Sequence, residues 1–347
     1  MPECTGCEMS FDEKEYINCP YCGLSPENAV EKDNASATMT QPDRKRVKLL
    51  IVSLVVFAVI AVLVLMTFMP GDDAISVPDD FPTIQAAIDA AVDGDELVVQ
   101  LGVYRETIDF NGKNIILRST NPDDPNVVAQ TIINADGNGA VVSFRSGENE
   151  GAVLSGFTIM RGSGSGIIVS GGSSPTIEKN IIEDNTAEDG GGIVIYDSSP
   201  FIRGNTITGN AAFIGGGVYM ENSSPVIEGN IIIENTAEMG GGIAINVNSL
   251  PIITGNTVSQ NRAARFGGGM VVAGDSAPSI RENTIVDNTA VRDGGGLLIE
   301  ESEPVIDGNT IAHNMAANGG GIYVGLSLNR PLMIINNMIN GNRALND

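Results

Sequence analysis

Beyond residue 175 the chain reads as short stretches in which apolar and polar positions alternate with period 2, as in Gly192-Ile-Val-Ile-Tyr196. A Ser-Ser-Pro200 turn follows, then Phe201-Ile-Arg-Gly-Asn205 and Thr206-Ile-Thr-Gly-Asn210. Alternation over so few residues predicts strands, because successive strand side chains point to opposite faces. The unit recurs. Runs of three Gly begin at Gly190, Gly215, Gly240, Gly267, Gly294 and Gly319, in steps of 25, 25, 27, 27 and 25 residues. Asn180, Asn205, Asn230, Asn256, Asn283, Asn309 and Asn337 keep the same rhythm, and so do Asn185, Asn210, Asn235, Asn261, Asn288, Asn314 and Asn342. A period of this size marks a stacked array. Three strands per coil predict an all-β parallel β-helix. Helical repeats need longer amphipathic runs, and the Leu ladder of leucine-rich repeats is absent.

The register predicts the interior. One inward column is Ile193, Val218, Ile243, Met270, Leu297 and Ile322. A second is Ile177, Ile202, Ile227, Ile253, Ile280, Ile306 and Ile334, and a third is Ile182, Ile207, Ile232, Val258, Ile285, Ile311 and Ile339. The Asn columns are expected to form internal ladders at strand corners, each Asn in the left-handed region and its amide paired one coil away. The outward column Glu178, Arg203, Glu228, Thr254, Arg281, Asp307 mostly alternates in sign and predicts a solvated ion-pair ladder. A second outward column, Ile168, Val194, Tyr219, Ala244, Val271, Leu298 and Tyr323, lies beside the Gly runs, which leave the backbone bare. It is expected to be an apolar docking stripe, with Tyr196, Tyr219 and Tyr323 stacking on sugar rings. Within residues 70–95, a linker and capping segment, Ile84, Ala87, Ile88 and Ala91 share one helical face that can close the open end of the stack. The β-helix itself is expected over 96–347. The last strands, around Ile334 and Ile339, are expected to fray or to pair end to end with another chain.

The N-terminal part changes the picture. Residues 49–69 hold 21 residues without a charge, Pro or Gly, long enough to span a bilayer as a helix. The run is too long, and starts too far into the chain, for a cleaved signal peptide. Arg44, Lys45, Arg46 and Lys48 precede it and Asp72 and Asp73 follow, which predicts a single-pass protein of the cytoplasmic membrane. The N-terminus is then cytoplasmic and the β-helix periplasmic or extracellular. All four cysteines fall in the first 22 residues, as Cys4-x-x-Cys7 and Cys19-x-x-Cys22. Two such knuckles suit a structural tetrahedral Zn²⁺ over residues 1–23, the alternative being a redox dithiol. Residues 24–48 read as a polar linker with a basic end. A net charge of −24 argues against nucleic-acid binding.

The stretch from Thr83 to Arg118 resembles the entry segment of pectin methylesterase-like proteins. The later I-x-G-N-x-I-x-x-N-x-A-x-x-GGG-I pattern is similar to the repeat of the pectin-lyase-like superfamily. Over roughly residues 75–345 that resemblance implies a right-handed parallel β-helix. It does not select a function, since the superfamily holds lyases, hydrolases, esterases, adhesins and binding proteins.

Candidate chemistry comes from stacking equivalent positions. Before each Gly run stand Asp189, Ile214, Met239, Phe266, Asp293 and Asn318, preceded by Glu188, Phe213, Glu238, Arg265 and Arg292. Arg265, Phe266, Arg292 and Asp293 should therefore crowd one edge, able to grip an acidic sugar or to act in β-elimination. His313, the single histidine, is equivalent to Asp287 one coil earlier and forms a second, weaker catalytic candidate. A Ca²⁺ ion would enter only with a lyase. The reading that leads is a non-enzymatic module binding surface polysaccharide or an envelope protein. A polysaccharide lyase or hydrolase using the Arg265–Asp293 edge is the rival, and a purely structural role is the third.

Overall fold

The computed structural model describes residues 74–325 and 332–346. The cysteine head, the linker and the apolar run at 49–69 lie outside the described residues. Among the described residues no helix is long and apolar enough to cross a membrane.

The described chain winds as a parallel β-solenoid. In one coil, Phe201–Arg203 belongs to sheet 1, Thr206–Thr208 to sheet 2, Ala211–Ile214 to sheet 3 and Val218–Glu221 to sheet 4. The sheets hold eleven, ten, seven and nine described strands, and every pairing is parallel to the equivalent strand one coil away. The expectation of three strands per coil is thus corrected to four along most of the array. Sheet 3 lacks the apolar alternation by which a strand is recognised. Its inward residues are alanines, Ala263, Ala290 and Ala316 forming a buried cluster of their own. Stacking of the coils, not side-chain pattern, holds these strands in register.

The three inward columns are in register and buried. Ile177, Ile202, Ile227, Ile253, Ile280 and Ile306 are 0% exposed, as are Ile182, Ile207, Ile232, Val258, Ile285 and Ile311. Each such side chain contributes roughly 1.5–3 kcal/mol of burial. At the last coil the columns open: Ile334 is 36% and Ile339 49% exposed. At the other end Ile84–Ala90 forms the expected helix, with Ile84, Ala87 and Ile88 buried on the first coil. Thr83 Oγ1 accepts from the Ala86 N–H, and the Glu106 carboxylate accepts the N–H groups of Ile84 and Gln85. Lys113 Nζ satisfies the carbonyls of Ile88, Asp89 and Ala91 at 2.7–2.8 Å.

Both Asn columns are internal ladders. In each, Nδ2 of one Asn donates to Oδ1 of the next at 2.9–3.1 Å, as from Asn205 to Asn230 and from Asn210 to Asn235. The left-handed residue is not the Asn but the one before it. Lys179, Glu282 and Asn336 have φ of 53–56° ahead of one ladder, and Asp184, Asp287 and His313 have φ of 53–58° ahead of the other. Each Asn instead uses its side chain to bond backbone groups of the preceding coil, as Asn210 accepts from the Asn185 N–H and donates to the Ile182 carbonyl. A third ladder, of serines, turns sheet 4 into sheet 1. Ser198 N–H donates to Ser223 Oγ, Ser223 N–H to Ser249 Oγ and Ser249 N–H to Ser276 Oγ, all at 3.2 Å. The outward charge column pairs in two places, Arg203–Glu178 at 2.6 Å and Arg281–Asp307 at 3.6 Å.

Candidate functional site

The Gly runs decide the shape of the functional face. Gly190 has φ of 60°, and a Cβ on Gly191 or Gly192 would fall 2.6 Å from a carbonyl oxygen of the next coil. Three glycines allow a sharp, tightly stacked corner between sheets 3 and 4. They are buried rather than bare. The corner folds the end of sheet 3 against the outer face of sheet 4, so the second outward column is not an open stripe. Val194 is 3% exposed, Tyr219 3%, Ala244 1%, Val271 7% and Leu298 5%. The expectation of a flat apolar face is corrected: sheet 4 is a floor, and the last residues of sheet 3 are the wall beside it. Ile214 packs onto the cluster of Val194, Tyr219 and Ala244.

The wall is the column that stacking predicts. Asp189 pairs with Ile214, Ile214 with Met239, Met239 with Phe266, Phe266 with Asp293 and Asp293 with Asn318. A register shift between Ala237 and Met239 admits one extra residue in the coil of Arg265. There the guanidinium of Arg265 lies 5.0 Å from the Phe266 ring centre, and that of Arg292 lies 5.9 Å from the same ring. Arg265 Nε is 3.7 Å from Glu238, while the carboxylate of Asp293 accepts from Asn318 Nδ2 at 2.6 Å. Below the ring, Ile214, Met239, Ala244, Val271 and Leu298 line a cavity of about 110 Å³.

Two and three coils earlier the groove carries two tyrosines and two carboxylates. Tyr196 donates to Asp189 Oδ2 at 2.9 Å and Tyr219 to Glu221 Oε2 at 2.8 Å, the rings meeting edge to face at 5.8 Å. Burial raises the pKa of both phenols, and the carboxylate each one faces raises it further. Burial also raises Asp189, against the hydrogen bond from Tyr196, with Glu188 and Glu221 adding repulsion. Tyr196 is half-buried and Tyr219 covered, whereas Tyr323 at the far end stays partly exposed. Glu221 escaped the sequence reading, because only its pairing with Tyr219 brings it into the groove.

His313 stands apart. It is exposed at the corner between sheets 2 and 3, its ring over Gly341, and five residues along the coil from Asn318, about 16 Å of extended chain. Asp287 occupies the equivalent corner as expected, but no hydrogen bond or ion pair joins the two. Among the described residues no group of three His, Cys, Asp or Glu side chains is arranged to hold a metal ion. The four cysteines lie outside the described residues.

The model of the right-handed β-helix region matches residues 114–285 and 217–345, most of the described array. The chain belongs to the right-handed β-helix family. A solved structure, that of rice weevil pectin methyl esterase, is similar at 15% identity and a TM-score of 0.30, over 78% of this chain and 90% of that one. Neither detail of fold nor activity transfers at that level. No curated protein matches. As a right-handed β-helix, the molecule repeats its groove positions once per coil, about every 4.8 Å.

Proposed function

We propose that the chain is a membrane-anchored β-helix that binds, without cleaving, a sparsely acidic surface polysaccharide in the groove between sheets 3 and 4. The observation that carries this reading is Phe266 with the guanidinium groups of Arg265 and Arg292 at 5.0 and 5.9 Å from its ring. An aromatic edge can pack on the apolar side of a sugar ring while planar guanidinium forks take a carboxylate or sulfate. A groove that repeats along the stack suits a linear polymer better than a small substrate. The net charge of −24 opposes a dense polyanion, so charge on alternate sugars fits better than charge on every sugar. Anchoring rests on the uncharged run at 49–69 and its basic N-terminal flank, and Zn²⁺ binding on Cys4, Cys7, Cys19 and Cys22.

The rival reading, a polysaccharide lyase or hydrolase, has one observation behind it. Asp189, raised by burial and bonded to Tyr196, is an acid held in the same groove. Retention of the full chain on immobilised dextran, hyaluronan and a polyuronate separates the readings. Binding is expected on hyaluronan, weakly on the polyuronate and least on dextran, with no new sugar ends released. Retention on none of them overturns the proposal, and release of oligosaccharides establishes the enzyme.

A further inference from the structure

The outward column of sheet 4 begins before its apolar part. Register places Asp109 beside Ser143 and Ser143 beside Ile168, so the column runs polar for two coils and apolar thereafter. At that polar start lies a second, larger cavity of about 510 Å³, roofed by the capping helix and lined by Asp89, Asp109, Ser143 and Arg145. It is separate from the groove at Phe266, five coils away along sheet 4, or about 24 Å.

Its polar groups are left with capacity for a ligand. Ser143 is 6% exposed, faces the cavity, and its hydroxyl bonds no protein group among the described residues. The Gln85 side chain clamps the Asp109 backbone, accepting its N–H at 2.7 Å and donating to its carbonyl at 3.1 Å. That contact fixes the floor. Asp89 uses one carboxylate oxygen, Oδ1, for Gln85 and Asn111, and Asp109 uses one, Oδ1, for the Asn111 N–H. The other oxygen of each accepts no bond from the described residues. Arg145 lines the same cavity and forms no ion pair within 4.0 Å with either acid or with any other described residue. Opposite charges in one open cavity that do not close on each other leave a gap a ligand can bridge.

From this we infer that the cavity is a binding site for a zwitterionic sugar unit, one bearing both an ammonium and a carboxylate. The ammonium goes to Asp89 and Asp109, the carboxylate to Arg145, and a ring hydroxyl to Ser143. The test is calorimetric titration of the full chain with four probes: muramic acid (both charges), glucosamine (ammonium only), glucuronic acid (carboxylate only) and glucose. Muramic acid should bind at least about tenfold more tightly than either singly charged sugar, and glucose least. Arg145→Gln should reduce muramic acid to the level of glucosamine. Asp109→Asn should reduce it to the level of glucuronic acid, and Ser143→Val should weaken every probe. Arg145 is exposed and its side chain makes no hydrogen bond or ion pair with the described residues, so its variant should stay folded and the result remains readable. Equal binding of muramic acid and a singly charged probe, binding unchanged in Arg145→Gln, or no binding of any probe overturns the inference.

Discussion

Replacing Asn235 by Ala isolates what the corner ladders contribute. Asn235 is 0% exposed; its Nδ2 donates to the Ile207 carbonyl at 2.9 Å and to Asn261 Oδ1 at 3.1 Å. Its Oδ1 accepts the Asn210 N–H and Asn210 Nδ2, both at 3.0 Å. Three of these groups keep other partners after truncation. Asn261 Oδ1 still takes the Asn235 N–H at 3.0 Å, and Asn210 Nδ2 still donates to Ile182 at 2.8 Å. The Ile207 carbonyl keeps the ladder bond that the parallel pairing with the strand of Ile232 gives it, so the Asn210 N–H alone is left buried without a partner. At about 1–3 kcal/mol for one orphaned group, the variant should lose roughly 1–3 kcal/mol. In a stack that loss is local, because each coil touches only its neighbours. Hydrogen exchange reads it directly: the Asn210 amide should exchange roughly 5-fold to 150-fold faster than in the parent. Glu228→Ala, an exposed change in the same coil, is the control. Asn210 protection within threefold of the parent, or a melting shift equal to the control's, would refute the reasoning.

Ile232→Asp places an unpaired charge in the 0%-exposed interior and should cost several kcal/mol, whereas Asp293→Asn should change stability by about half a kcal/mol or less. Equal melting shifts would mean the register is wrong. Burial pushes the Glu148 carboxyl up, but donation from Ser173 Oγ, Ser146 N–H and Gly112 N–H outweighs it and leaves its pKa below the usual value. Its contribution is therefore present above the ordinary carboxylate range and lost as pH falls, so Glu148→Gln should flatten the acid limb of a pH–stability curve. Asp189 has the opposite sign: raised in the fold, it costs stability as pH rises, so Asp189→Asn should raise the melting temperature at pH 7 and leave it unchanged near pH 3. Loss of metal in a Cys4→Ser, Cys19→Ser variant, by elemental analysis against a parent holding about one zinc per chain, checks the N-terminal site.

The repeat was legible because its positions demand unusual residues. Only Gly fits the corner at Gly190–Gly192, only Asn makes the ladder of Asn205 and Asn210, and the interior takes Ile at almost every coil. The left-handed corners were not legible, since Lys179, Gly204, Glu234, Gln260 and His313 share a backbone shape but no chemistry. The fourth strand was hidden for a related reason: its inward residue is Ala, which gives period 2 no contrast. Alternation tells inside from outside but not whether a second layer covers the outside, so Tyr219 and Val271 read as open surface. The stacking of Arg265, Phe266 and Asp293 could be counted from the Gly runs. Asp109 and Ser143 could not, because the first coils carry no Gly run from which to count.

The groove reading is tested most directly by titrating hyaluronan oligosaccharides into the full chain and into two variants, Phe266→Ala and Arg265→Gln with Arg292→Gln. All three side chains lie at least partly exposed on the wall, so both variants should melt close to the parent. The account predicts that each variant weakens binding about tenfold or more, with His313→Ala leaving it unchanged. Parent-like affinity in both wall variants, or a loss in His313→Ala that matches theirs, would contradict it.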